Sequence, residues 1–437
     1  MMAKFIISPG KARRFVIASR VRMVATNTRH KVIVWAVACS IITYIDRVCI
    51  AQAKPHIVGE LHLTDAQWGL VLSAFVWSYA LFEVPTGWMG DVFGARKTLT
   101  RVVVWWSIFT AATAAAWSFL SLVVIRFLFG IGEAGCFPNI TRAFTTWLPD
   151  RERVRAQGIN WMCARWGGAF TPLLVGLILR WVDWRQAFIA FGALGIVWAV
   201  FFYRWFRDDP KDHPDVNAAE LEVIRDGQAP DPGHPHLPVG KLMSSLSIWL
   251  LWLQYFAISY SWYFYITWLP DYMGVTLGLD PKQYGWLNGA PLFLGGLGCF
   301  VGGMVLAKLT KTMGSMKARR LVGQLGAVVA AACLIIAVQM KDPFLALFFL
   351  SFSSFGNDLT MPAAWGAAMN LGGRFAGSVS GSMNMMGNGG GGLFPITYPF
   401  LRSNFGIESV FYVNAAVYAL SFLAWTLLDS SKAIDAE

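Results

Sequence analysis

Twelve apolar stretches, each about the length that crosses a bilayer, follow one another along this chain. They run over approximately 31–53, 66–89, 98–117, 119–145, 156–180 and 184–205, then 246–270, 284–307, 319–340, 343–369, 376–400 and 408–428. A helix that spans the hydrocarbon core needs about 20 apolar residues. The pattern therefore predicts six crossing helices, a polar interval, and six more. The interval, "RDDPKDHPDVNAAELEVIRDGQAPDPGHPHLP", is rich in Pro and charge and too short for a domain. It reads as a linker with one short helix around "AAELEVI". The division that follows is a basic N-terminal segment at 1–30, a six-helix bundle at 31–206, a linker at 207–243, a second six-helix bundle at 244–429 and a tail at 430–437. The expected fold class is an all-α membrane protein with twelve transmembrane helices in two six-helix bundles.

Composition agrees with this. The 437 residues are 56% hydrophobic and 14% charged, against about a quarter charged in a soluble domain. Mean hydropathy is +0.50. Twenty-one Trp and 32 Phe suit the aromatic belts of membrane interfaces. The net charge of +11 sits in a few short loops rather than on one amphipathic face, so it reads as topology and not as a nucleic-acid surface. Connections from even to odd helices carry Arg96, Lys97 and Arg101, then Arg151, Arg153 and Arg155, then Lys308, Lys311, Lys317, Arg319 and Arg320. The odd-to-even stretch "WSFL" has none. With Lys11, Arg13, Arg14, Arg20, Arg22 and Arg29 at the N-terminus, the positive-inside rule puts both termini and the linker in the cytoplasm; the expected location is the inner membrane. A cleaved signal peptide is not expected, since no A-x-A-like site precedes a polar start. The six cysteines, Cys39, Cys49, Cys136, Cys163, Cys299 and Cys333, fall in apolar runs without metal spacing and are expected to be buried free thiols.

Two halves of six suggest an internally duplicated transporter bundle. "GWMGDVFGARKTLTR" after the second helix is faintly echoed by "GGMVLAKLTKTMGSMKARR" after the eighth. Residues 87–97, "GWMGDVFGARK", resemble the cytoplasmic signature G-x-x-x-D-R-x-G-R-R of the major facilitator superfamily. Gly87, Asp91, Gly94, Arg96 and Lys97 match in type, while Val92 replaces the usual Arg. The glycines permit close helix approach, and Asp91 can cap a helix and pair with bases in a charge lock. With Val92 in place, that lock is expected either to be weakened or to use Arg96 instead. "YIDR", "RFLFGIGEAGCFP", "HPDVNAAEL" and "SGSMNMMGNGGGGLFP" sharpen the resemblance, which runs from Val32 to Leu428, to the anion:cation symporter family. That family includes bacterial transporters of galactonate, glucarate and hexuronates. The resemblance implies the major facilitator fold.

Charges within the spans carry the chemistry. Asp46 and Arg47 sit side by side in the first apolar run, and Arg126 and Glu133 in the fourth. A charge at bilayer depth costs several kcal/mol unless paired or facing water, so such residues are functional candidates by default. Neighbours on a helix point about 100° apart, so Asp46 and Arg47 need different partners. Arg126 and Glu133, seven apart, share a face. A buried acid beside an arginine is a group able to titrate, and an arginine can hold a carboxylate with two hydrogen bonds. The resemblance implies proton coupling at Asp46 and Glu133 and substrate binding at Arg47 and Arg126. A structural ion-pair network is the alternative. Tyr44 and Tyr79 could offer hydroxyls to a substrate or anchor an interface. Glu83, near the end of the second span, is expected to pair with bases there. Arg165 either faces the cavity or snorkels to the cytoplasm. Trp365 is a candidate cavity wall, and Asp358 a relay or a packing group. Asn384 and Asn388 share a face four residues apart; their amides can bind substrate hydroxyls or bridge helices, and the resemblance implies substrate. "GNGGGG" is not a nucleotide site, because no strand–helix unit surrounds it.

The expected function is proton-coupled symport of a small organic anion, a sugar acid above all, by alternating access. An aromatic or other carboxylate is the second reading. A polytopic membrane enzyme lacks a catalytic constellation here, and a sensor lacks an output domain. No cofactor or metal is expected, the proton being the coupling ion. The partners are the anion, protons and the lipid bilayer, with no nucleic acid, and the chain is expected to work as a monomer.

Overall fold

The structure is a computed structural model that describes residues 24–226, 239–279, 287, 289–431 and 433–434. Lys11, Arg13, Arg14, Arg20 and Arg22, the linker histidines His234 and His236, and the last residues of the tail lie outside the described residues. The twelve spans are helical where the apolar pattern puts them. In the first half they are α1 (Thr28–Leu61), α2 (Asp65–Phe93), α3 (Ala95–Thr113), α4 (Phe119–Glu133) with α5 (Cys136–Trp147), α6 (Asp150–Ile178) and α7 (Trp184–Trp205). The linker holds α8 (Ala218–Arg225), where "AAELEVI" was read as helix, and ends in α9 (Val239–Ser244). The second half comprises α10 (Leu246–Thr267), α11 (Ala290–Met313), α12 (Ser315–Gln339), α13 (Pro343–Leu359) with α14 (Met361–Gly372), α15 (Ala376–Phe405) and α16 (Ile407–Leu427).

Eight segments are long and apolar enough to cross a membrane on length and composition alone, and one of them, Pro343–Phe405, holds two crossings. The spans α3, α6 and α10 complete the twelve. They are less apolar because α3 and α6 begin in basic loops and α10 carries Gln254 and several Tyr and Trp. Two spans are broken at mid-depth. The fourth breaks between Glu133 and Cys136, in "GIGEAGCFP", and the tenth at Thr360 before Pro362. A break in a buried helix frees backbone groups, which is tolerated where protein surrounds them.

Gly94 joins α2 to α3 with φ +84 and ψ 155; Gly314 joins α11 to α12 with φ +82 and ψ 159. The faint sequence echo is therefore one turn built twice, on a conformation that only glycine adopts without strain. Both turns lie on the face that carries the basic loops. On this basic face one continuous core joins the halves, from Trp106, Trp147 and Trp161 to Trp365, Met383 and Trp425. Toward the opposite face each half has its own core, Ile45 to Phe191 in one and Tyr260 to Tyr418 in the other. The linker helix is docked: Glu220 accepts from Thr28 N at 3.2 Å and Arg29 N at 3.0 Å, closing the N-terminus of α1. Cys163 and Cys333 are half-buried, not buried as expected, because they sit on the outer sides of α6 and α12; the other four are buried.

Candidate functional site

The first span settles why an acid and a base stand together. Asp46 turns away from the centre toward α3, where Trp106 Nε1 donates to its Oδ2 at 3.0 Å. Arg47 turns inward toward the break of the fourth span. Its Nε donates to Glu133 Oε1 at 3.3 Å, and its second terminal nitrogen lies 3.3 Å from Oε2. Glu133 is fully buried. The Arg47 guanidinium lies 4.7 Å from the Tyr79 ring centre, 5.2 Å from Phe75 and 5.5 Å from Tyr44. Aromatic faces stabilise a desolvated cation.

A cavity of about 60 Å³ opens beside Arg47. Tyr44, Arg47, Tyr79, Asn384 and Asn388 line it, together with Arg165, Trp161 and Trp262. At about 10–15 Å³ per water, the space suits a small solute rather than a macromolecule. Two candidates stand behind this wall. Arg126 is buried against Phe129, 4.3 Å from its ring centre, and Phe75, at 5.0 Å, and its Nε has no hydrogen-bond partner. It shares α4 with Glu133, yet Glu133 gives its carboxylate to Arg47. Trp365 is fully buried, donates to Tyr255 Oη at 3.1 Å and backs Trp161 at 5.2 Å.

Arg165 faces the cavity and does not snorkel. Its Nε and a terminal nitrogen donate to Asp358 Oδ2 and Oδ1 at 2.7 and 3.1 Å, and the other terminal nitrogen donates to Tyr44 Oη at 3.0 Å. The pair joins α6 in one half to α13 in the other. The guanidinium is stacked 4.0 Å over Trp262.

Glu83 departs from expectation. Among the described residues it pairs with no base of the loops. It is fully buried and accepts from the side-chain amides of Asn384 and Asn388, the latter at 3.0 Å. The helix runs on to Phe93, so at 1.5 Å per residue Glu83 lies about 15 Å from its end. This acid was missed as a site residue; the available signal was two amides on one face of α15, since a pair of donors calls for a shared acceptor.

The signature loop closes the basic face, though not through Arg96. Arg96 donates from Nε and a terminal nitrogen to Tyr203 O at 2.9 and 2.6 Å, and its ring neighbour is Tyr203 at 4.3 Å. Lys97 is exposed. Asp91 instead caps the opposite half. It accepts from Gly377 N at 3.0 Å and from Ser378 N and Oγ at 2.7 Å, with Arg142 at 3.8 Å. A carboxylate at the start of α15 meets its unpaired amides and positive dipole end. Gly87 makes this possible, because a Cβ there would lie 2.4 Å from Gly377 O. Gly87→Ala should therefore cost the closed face about 1–3 kcal/mol of overpacking and slow transport by about tenfold or more, read as uptake into vesicles at equal protein content.

Two helical bundles around a cavity lined by arginines, aromatic residues and amides are an arrangement that suits a membrane transporter. The chain belongs to the Major Facilitator Superfamily, whose family model matches residues 36–395. It is 35% identical over 415 residues to a probable sulfoacetate transporter of Cupriavidus necator, covering 94% of this chain and 96% of that one. It is 29% identical to a D-galactonate transporter of Escherichia coli, covering 92% and 95%. Among solved structures it is similar to a proton:xylose symporter bound to 6-bromo-6-deoxy-D-glucose, with a TM-score of 0.73 at 14% identity over 92% of this chain and 96% of that one. That likeness concerns the fold.

Proposed function

We propose that this chain is a proton-coupled symporter that carries a small organic anion, a sugar acid or an acid of similar size, by alternating access. The observation that carries the reading is Arg47: its guanidinium lines the cavity while holding the buried Glu133 carboxylate. A substrate carboxylate competes for the same planar fork. When it wins, Glu133 is left in a dry site and its charge is relieved by a proton. Around the cavity stand Arg47, Arg126 and Arg165 with the acids Asp46, Glu83, Glu133 and Asp358, while Arg142 lies farther along the fourth span. An added anion brings further negative charge into this buried set, which burial penalises unless protons accompany it. The transporters of sulfoacetate and galactonate among the relatives support an anionic cargo. The wall of Trp161 and Trp262 also favours a second reading, an aromatic carboxylate.

The basic loops support an inner-membrane orientation with both termini and the linker in the cytoplasm. The shared core of the two halves then closes the cytoplasmic side. The reading is tested in sealed vesicles by acidifying the outside and following a labelled panel of sulfoacetate, galactonate, glucarate and benzoate. Accumulation of one of these above its equilibrium level, abolished by a protonophore, is expected. Equal accumulation without the proton gradient would refute symport.

A further inference from the structure

We infer that Arg165 is a second anion site, so that the cargo carries an acid group at each end. The inference rests on the reading of the cavity as an anion site and narrows it. Two guanidinium groups line this one small cavity, Arg47 and Arg165. Tyr44 stands between them: its ring centre is 5.5 Å from Arg47 Cζ, and its hydroxyl is 3.0 Å from a terminal nitrogen of Arg165. Each arginine comes with a resident carboxylate held by two contacts, Glu133 on Arg47 and Asp358 on Arg165. In both pairs a guanidinium holds a carboxylate, with two hydrogen bonds in Arg165–Asp358 and one in Arg47–Glu133. Each keeps a cation desolvated but neutralised until a competing acid arrives.

A role confined to joining α6 with α13 does not account for the whole arrangement. Buried ion pairs are weak stabilisers compared with apolar packing. A mere bridge requires neither a cavity-facing guanidinium nor a third donor spent on Tyr44. The aromatic face of Trp262 at 4.0 Å supports the cation from one side and leaves its donor edge to be shared. Asp358, when displaced, keeps a donor of its own, because Asn357 Nδ2 already donates to Oδ1 at 3.0 Å and is itself fixed through Tyr418 Oη to Asn357 Oδ1 at 3.1 Å. A cargo with one acid replaces only Glu133. A cargo with two replaces Glu133 and Asp358 together, on two arginines that both belong to the first half, and so releases the charge bridge from α6 to α13.

The test compares a two-acid probe with the same skeleton bearing one acid, by calorimetry on the purified full chain. Sulfoacetate is paired with sulfoacetamide, and glucarate with its monoamide. The wild type is expected to favour the two-acid member of a pair by about tenfold or more, the value of one charge-assisted fork. Arg165→Gln should bring the two members within about twofold of each other. Because Arg165→Gln strands Asp358, the double variant Arg165→Gln/Asp358→Asn gives the same reading with no buried charge left unpaired. Asp358→Asn alone removes the competitor, and should tighten the two-acid member by about threefold or more while leaving the amide unchanged. The inference is overturned by a wild type that binds neither pair or shows no preference, by a preference that survives Arg165→Gln or the double variant, or by no tightening in Asp358→Asn. Arg47→Ala separates the two levels. If it abolishes binding while the preference survives removal of Arg165, only the second site falls. If Arg47→Ala binds like the wild type, the anion site itself falls.

Discussion

Glu133→Gln is expected to bind and exchange its anion across the membrane, yet fail to accumulate it when a proton gradient is imposed. The amide reproduces the shape of the protonated acid and cannot give the proton up. Glu133 is fully buried, and among the described residues Arg47 is the basic side chain within ion-pair distance of it. A substrate that takes the Arg47 fork removes that partner, so proton and anion favour each other, and the coupling in binding is reciprocal. With Gln in place the fork is always free for substrate. Counterflow of labelled anion should remain within about threefold of wild type, while proton-driven accumulation falls to the equilibrium level. Asp46→Asn is a different case, since Asp46 accepts from Trp106 and does not border the cavity. Full proton-driven accumulation in Glu133→Gln would move the proton to another acid, with Asp358 first in line.

Arg47→Ala should lose both binding and stability, and the two losses can be told apart. Removing one partner of a buried pair leaves the other uncompensated, at a cost of about 3–5 kcal/mol. Glu133 would be that stranded charge. Binding of the anion should weaken by about a hundredfold or more, because the cavity loses its fork. The double variant Arg47→Ala/Glu133→Gln removes the stranded charge. Its melting temperature should return toward wild type while binding stays lost. A double variant that regains binding would show that Arg47 supports the fold and does not hold the substrate. Arg47→Lys should bind poorly in either background, since an ammonium lacks the planar fork.

The residues that surround the cavity were partly legible because intramembrane charge is so costly that it marks itself. Asp46, Arg47, Arg126 and Glu133 stand out in apolar runs for that reason. Their partners did not. Helical periodicity puts Arg126 and Glu133 on one face, and the chain indeed holds them on one helix. The helix ends at Glu133, however, and the carboxylate is taken across the bundle by Arg47. Arg165 and Asp358 show the same limit: 193 residues separate them, and no local pattern joins them. Asp91 was read correctly as a capping acid, but its helix belongs to the other half and its nearest base is Arg142, which sits within the fourth span. Val92 hid the usual lock and pointed to Arg96, whose reach is spent on Tyr203.

Hydropathy by itself determined the twelve helical spans, though not their ends, the first helix running on to Leu61 where its end was expected at 53, while loop charge set their expected orientation. Both are short-range quantities: each depends on whether about 20 consecutive residues prefer hydrocarbon, and on the few charges beside them. Gly94 and Gly314 belong with these, because a backbone turn with positive φ selects its residue locally. Only the tertiary structure decided which acid meets which arginine, that Glu83 lies at the centre between two amides, and that Arg126 and Trp365 stand behind the cavity wall. Those are matters of helix rotation and crossing. A rotation of one residue's worth, about 100°, carries a side chain from the cavity to the lipid or to a neighbouring helix. The preferences of any single segment leave that rotation nearly free, and it is fixed by packing against the other eleven.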